Sequence, residues 1–143
     1  MTAGRITTRD CDGVDCFANV RSAAQRMLQR NVGSLVVVDS EQRPIGIVTD
    51  RDLALRVVGL GRDADSTPVA EIMTADPESV TERTAIADVI ARMSKAGCRR
   101  MPVVDDDGAL VGMITVDDVW RDVADRLAAI RGILDRSGPA ALR

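Results

Sequence analysis

Histidine and tyrosine are absent from this chain of 143 residues, which carries one phenylalanine, Phe17, and one tryptophan, Trp120. Without imidazole there is no Ser/His/Asp or Cys/His catalytic pair and no histidine metal site, and without tyrosine the phenolic acids go too. Two aromatic side chains are too few for a stacking platform for single-stranded nucleic acid or for an aromatic cage. Cysteine is scarce: Cys11, Cys16 and Cys98 are an odd number with no CxxC spacing. They read as reduced thiols of a cytoplasmic protein, with a Cys11–Cys16 pair left open by spacing. No run approaches the ~18 apolar residues of a membrane span, and the first ten residues hold no apolar signal core. The expected location is therefore the cytoplasm, away from membranes. An excess of basic charge is missing as well: 19 Lys and Arg against 22 Asp and Glu give a net charge of −3, which argues against a dedicated nucleic-acid binder.

What is present is the composition of an ordinary soluble protein, 45% hydrophobic and 29% charged. At this length one shared core needs no metal or disulfide to hold it. The chain is organised by an ungapped duplication. At an offset of 66 residues Ile6 meets Ile72, Thr8 meets Thr74, Asp10 meets Asp76, Val14 meets Val80, and Arg26 and Met27 meet Arg92 and Met93. The densest block matches Val37, Val38, Asp39, Gly46, Thr49 and Asp52 with Val103, Val104, Asp105, Gly112, Thr115 and Asp118. Two copies of this length are too few for a solenoid, so a pseudo-symmetric pair of half-domains is expected.

Each half predicts the same elements. Val20, Ala23, Ala24, Met27 and Leu28 recur at helical spacing, as do Ile86, Val89, Ile90 and Met93. Short β-branched runs follow at 35–38 and 101–104, each joined by a polar turn to a second run, 45–48 and 110–114, as in a hairpin. Gly108 suits the positive φ of the second turn. A helix then starts at Asp50 and at Val116, running to about Leu60 and Leu134, and residues 61–68 link the halves. Continuous apolar strands predict a sheet covered on both faces by these helices. Segments around 6–8 and 72–74 are expected to add one strand to each half. The expected boundaries are 5–66, 67–134 and a flexible tail at 135–143.

Both strand-to-helix junctions carry the same chemistry: Gly46, Thr49 and Asp52, then Gly112, Thr115 and Asp118. One reading is a helix cap, in which Thr and a first-turn carboxylate satisfy free backbone N–H groups. The other is a nucleoside grip. A carboxylate suits the vicinal hydroxyls of a ribose, a capping hydroxyl suits a sugar or phosphate oxygen, and glycine lets a ligand approach the strand.

The duplicated order strand, helix, two strands, helix, with "EIMT", "CRRMPVVDDDG", "LVGMITVDDV", "GSLVVVD" and "GIVTDRDL", resembles a tandem pair of CBS domains, the Bateman module. The resemblance spans residues 6–134. The first repeat departs from the pattern in having Thr7 where the second has Met73, and no counterpart of Pro77 within 11–17. The resemblance implies a stand-alone α+β regulatory module, non-enzymatic and without a required cofactor. Its two pseudo-twofold clefts would bind AMP, ADP, ATP, S-adenosylmethionine or a dinucleotide. Carried onto this chain, site A would use Thr49, Arg51 and Asp52 with Asp76, Pro77, Glu78 and Ser79, and with Cys98, Arg99, Arg100 and Pro102. Site B would use Thr115 and Asp118 with residues 10–13 and with 32–36, including Gly33 and Ser34.

Gly33 and Ser34 stand where the second repeat has Arg99 and Arg100, so site A is the expected phosphate site and a mono- or diphosphate the easier ligand. The other reading of the two arginines is a solvated helix end. Val119, Val123, Leu127, Ile130 and Leu134 form an apolar stripe longer than one small sheet needs, which predicts a homodimer. A ligand-free dimerisation protein is the alternative from another class. A small hydrolase or transferase is a further one, although no nucleophile–base pair is recognisable.

Overall fold

The computed structural model describes residues 1–9, 11 and 13–138. The first repeat contains β1 (Gly13–Asp15), α1 (Val20–Arg30), β2 (Ser34–Val38), β3 (Pro44–Thr49) and α2 (Asp50–Asp52), which continues as a π-helical run over Leu53–Val58. After a 3-10 turn at Val69–Glu71 come β4 (Thr74–Ala75), β5 (Val80–Thr81), α3 (Ile86–Ala96), β6 (Arg100–Val104), β7 (Leu110–Thr115) and α4 (Val116–Arg136). The expected α+β class and the internal repeat are both present. α4 extends through Arg136, two residues into the stretch read as a tail; residues 139–143 of that stretch lie outside the described residues.

Local chemistry sets the boundaries. Asn19 accepts from the Ser22 amide at 2.8 Å to start α1, and Asn31, in the left-handed region at φ 53°, ends it. Gly97 closes α3 in the same conformation. Asp39 and Asp105 make the same hairpin turn twice: Asp39 Oδ1 accepts from the amides of Glu41 and Arg43, and Asp105 Oδ1 from those of Asp107 and Ala109. The register repeats as well. Ser34 pairs with Thr49 as Arg100 pairs with Thr115, and a bulge follows Val37 as one follows Val103. The link between the repeats is tied to α1, where the Val20 amide donates to the Thr67 carbonyl and Arg21 pairs with Asp65.

Two expectations are corrected by the topology. Of the two extra strands expected, one formed, at 74–75, while near 6–8 only Thr8 makes an isolated bridge, and both contacts run crosswise. β4, from the start of the second repeat, pairs antiparallel with β3 and completes the order β1-β2-β3-β4, whereas Thr8 bridges Met113 on the β5-β6-β7 sheet. β1 and β5, which alternation had not singled out, run parallel to β2 and β6.

The cover of the sheets also differs. Leu35, Val37 and Val48 pack with α1 residues Val20, Ala23 and Met27, while Val36 and Val38 meet Met113 of the other repeat. One face is covered by helices and the other by the opposite sheet. The β-branched runs are therefore apolar on both faces without a second helical layer.

Crosswise strands explain the paired glycines. A Cβ at Gly46 would lie 2.2 Å from the Met73 sulfur, and one at Gly112 would lie 2.6 Å from the Thr8 carbonyl oxygen. Close approach is required here by the exchanged segment, not by a ligand. Gly112→Ala is expected to lower stability by roughly 1–3 kcal/mol, because a backbone must move. Gly46→Ala should cost less, since the end of a methionine gives way more readily. Denaturant midpoints that fell in the opposite order would refute this account.

Candidate functional site

The Thr and Asp at each strand-to-helix junction are reciprocally bonded. Thr49 Oγ1 accepts from the Asp52 amide at 3.1 Å, and Asp52 Oδ2 accepts from the Thr49 amide at 2.9 Å. The second copy matches it, with 3.2 Å and 2.8 Å between Thr115 and Asp118. Both are capping boxes, so the cap reading holds in both copies. Each cap occupies Oδ2. The other oxygen faces an arginine of the same helix, Arg56 Nε at 3.7 Å from Asp52 Oδ1 and Arg121 Nη1 at 3.5 Å from Asp118 Oδ1.

Two clefts lie where the repeats meet. Cleft A, about 200 Å³, is walled by Thr74, Ala75, Asp76, Pro77 and Glu78, with Ile47 of β3 on one side and Ala96, Cys98 and Arg100 on another. Cleft B, about 170 Å³, is lined by Thr8, Cys11, Arg30, Val32, Ser34, Leu35, Met113 and Thr115. Six lining positions of one correspond to six of the other. Thr8 and Thr74, Cys11 and Pro77, Arg30 and Ala96, Val32 and Cys98, Ser34 and Arg100, and Met113 and Ile47 are all pairs at the repeat offset.

The structure brings together Asp76, Pro77, Glu78, Cys98 and Arg100 in cleft A, and Ser34 and Thr115 in cleft B with Cys11 and Val32. Others it places elsewhere. Thr49 and Asp52 lie beyond the cleft A lining, Thr49 being two residues along β3 from Ile47; Asp118 is likewise held in its cap. Arg51 is exposed, with its amide on Asp50 Oδ1. Gly33 packs beneath the Asp50 carboxylate, and Pro102 is fully buried in β6 opposite Met113. Residues 10 and 12, expected in site B, lie outside the described residues.

The arginine pair is the main correction. Arg100 is the first residue of β6, whereas Arg99 lies in the bend before it. Arg100 faces cleft A, whereas Arg99 lines a separate hollow between α3 and α4 and sits 3.8 Å from Asp117 in an exposed pair. Such a surface pair contributes little. Cleft B, read as lacking the double arginine, has Arg30 from the end of α1, where cleft A has Ala96. Each cleft thus has one lining arginine, from a different element. Arg30, Thr8 and Met113, with Ile47, Thr74, Ala75 and Ala96, were not singled out as lining residues. The offset of 66, applied to the positions around 32–34 and 98–100, was the signal that leads to them.

Among the described residues no disulfide joins Cys11 and Cys16. No helix among them is long and apolar enough to cross a membrane.

Comparison with known proteins follows the same two-repeat division. The Methanopyrus kandleri protein MK0525 is 32% identical over 119 residues, 83% of this chain and 61% of that protein. The chain spans about three fifths of the length of the first curated relatives it matches. The CBS domain pair of MJ0100, solved in complex with 5′-methylthioadenosine and S-adenosyl-L-methionine, superposes with a TM-score of 0.77 at 25% identity, covering 88% of this chain and 98% of that one. PAE2072 from Pyrobaculum aerophilum, a CBS domain protein complexed with AMP, gives a TM-score of 0.77 at 25% identity, with 90% and 99% covered. CBS-domain proteins are generally regulatory rather than catalytic. A CBS domain profile matches residues 3–59 and 69–119, the two halves that the repeated hairpins, bulges and caps delimit, and this chain belongs to the CBS-domain family.

Proposed function

We propose that clefts A and B bind adenosine-containing ligands, AMP or ADP foremost, and that a homodimer of this chain signals their occupancy to a partner protein. The observation that carries this reading is the positional correspondence of the two clefts, each walled by both repeats and each holding one arginine beside small and apolar side chains, with Asp76 and Glu78 also lining cleft A. An arginine fork suits a phosphate, and a narrow apolar wall suits a purine face. The adenosine ligands bound by MJ0100 and PAE2072 support the ligand class.

The test is a melting curve and calorimetry with AMP, ADP, 5′-methylthioadenosine and S-adenosylmethionine. A ligand at 100 times its Kd stabilises by roughly 2.7 kcal/mol. Asp52→Ala is then expected to do two things: to cost about 1 kcal/mol of stability through the lost cap, and to weaken adenosine ligands by ~1–3 kcal/mol through the lost ribose acceptor. A lower melting point with unchanged affinity would leave Asp52 a cap alone. No response to any adenosine ligand at millimolar concentration would remove the reading and leave a ligand-free interaction protein.

A further inference from the structure

The two capping aspartates are not in equivalent surroundings. Arg56, within the π-helical run after α2, lies with Nε 3.7 Å from Asp52 Oδ1, and its Nη1 donates to the Ile72 carbonyl at 2.9 Å and the Met73 carbonyl at 3.4 Å. One guanidinium thus spans the junction carboxylate and the segment that leads directly into β4. That segment continues as Thr74–Glu78, one wall of cleft A.

Among the described residues the second repeat shows no such link. The residue at the matching position is Asp122, whose carboxylate instead takes Arg126 of the same helix at 2.9 Å. The exchanged segments differ accordingly. Thr74 and Ala75 form a strand on β3, while Thr8 makes only an isolated bridge to Met113. The helix differs too, because a π-helical run stands in the first repeat where α4 is regular. A single turn of this kind commonly marks a functional position.

We propose that Arg56 is a positioning residue that clamps the β4 wall of cleft A to α2, so that cleft A is pre-organised and coupled to that helix while cleft B is not. A ligand hydroxyl arriving at Asp52 Oδ1 would share that oxygen with Arg56, and the same guanidinium holds the opposing wall. Occupancy of cleft A is thereby transmitted to the helix bearing the exposed Leu55 and Val58. The ligand half of this inference rests on the proposed function; the clamp itself does not.

Hydrogen–deuterium exchange on the intact protein separates the two. Without ligand, Arg56→Met is expected to speed exchange across residues 73–76 at least tenfold, including the Asp76 amide that donates to Ile45. The Thr8 and Met113 amides of the other half should keep wild-type rates. Arg56→Lys, which keeps the charge but not the fork, should fall between the two, and it carries the comparison if the methionine variant fails to fold. Unchanged exchange at 73–76 overturns the clamp.

With AMP added, the wild type should be protected at 72–78 and at 30–36. Arg56→Met should raise the AMP concentration for half-protection at 72–78 about tenfold and leave that at 30–36 unchanged. Protection at both sites that is indifferent to Arg56 overturns the coupling while the proposed function stands. Protection at neither site overturns the proposed function, and the ligand-free arm still decides the clamp.

Discussion

Replacing Leu127 and Ile130 together with glutamate is expected to turn a dimer into a 15.3 kDa monomer at micromolar concentration without unfolding it. α4 presents Val116, Trp120, Val123, Leu127, Ile130 and Leu134 at alternating steps of four and three residues. That is a heptad seam, the 3.5-residue period that calls for a second helix and not for a sheet. Only its inner edge is used within the chain. Val119 is buried and Val123 packs beside it, while Trp120 is 71% exposed, Leu127 61%, Ile130 53% and Leu134 66%. Leu28 and Val58 add exposed apolar surface on helices of the first repeat, and Leu60 adds more in the turn that follows.

An antiparallel second copy gains an opposite-charge contact across the seam. An antiparallel copy with Val116 opposite Leu134 fills every seam position and puts Asp117 across from the partner's Arg131. The two central Arg126 side chains approach each other in this register, each beside its own Asp122 at 2.9 Å. A twofold, self-complementary pairing of this kind closes on itself and stops at two. A glutamate buried in such a seam without a partner costs about 3–5 kcal/mol, and two per chain exceed what a modest interface withstands. Light scattering should read twice the chain mass for the wild type and the chain mass for the double variant, which still folds but melts at a midpoint lowered by the loss of the dimer. A wild-type monomer, or a double variant that still dimerises, refutes the seam. Exchanging Arg131 for Glu alone should weaken the dimer slightly, and pairing it with Asp117→Arg should restore it.

The repeat was legible because its two copies are ungapped and because β-branched runs, turn aspartates and capping boxes are local signals. Asp39 and Asp105 need only their own hairpins to act. The crosswise exchange of Thr8 and Thr74 was not legible for the opposite reason: either segment has the composition to edge either sheet, and the choice is made by the path of the whole chain. Gly46 and Gly112 recorded that choice, but a glycine that admits a ligand and one that admits a neighbouring strand look alike in sequence. Leu28 was taken as part of the inner face of α1 and is 82% exposed, since helical spacing identifies a stripe but not how far round the helix the core reaches.

The arginines show the limit most clearly. Arg99 and Arg100 read as a pair only while the first residue of β6 is unknown, because that boundary puts Arg100 in the strand and leaves Arg99 in the bend before it. Arg30 was hidden for another reason. It is the last residue of α1, and its reach into cleft B depends on how that helix lies across the sheet.

Single arginine substitutions are therefore the informative experiment. Arg100→Ala is expected to weaken AMP at cleft A by about 1.5–3 kcal/mol, roughly ten- to a hundredfold, the cost of a charge-assisted bond to phosphate. Arg99→Ala should leave AMP affinity where it was, because that side chain faces the α3–α4 hollow and Asp117. Arg30→Ala should weaken AMP at cleft B by an amount comparable to the loss at cleft A, and Ser34→Arg should strengthen it by placing a second cation there. Adenosine, which has no phosphate to lose, should bind all four variants nearly as it binds the wild type. Raising salt should weaken AMP at both clefts of the wild type, and at only one of them in each of the Arg100→Ala and Arg30→Ala proteins. Two-site calorimetry in which Arg99→Ala weakened AMP as strongly as Arg100→Ala would mean that β6 presents the other face to the ligand, and the assignment of one arginine to each cleft would fall.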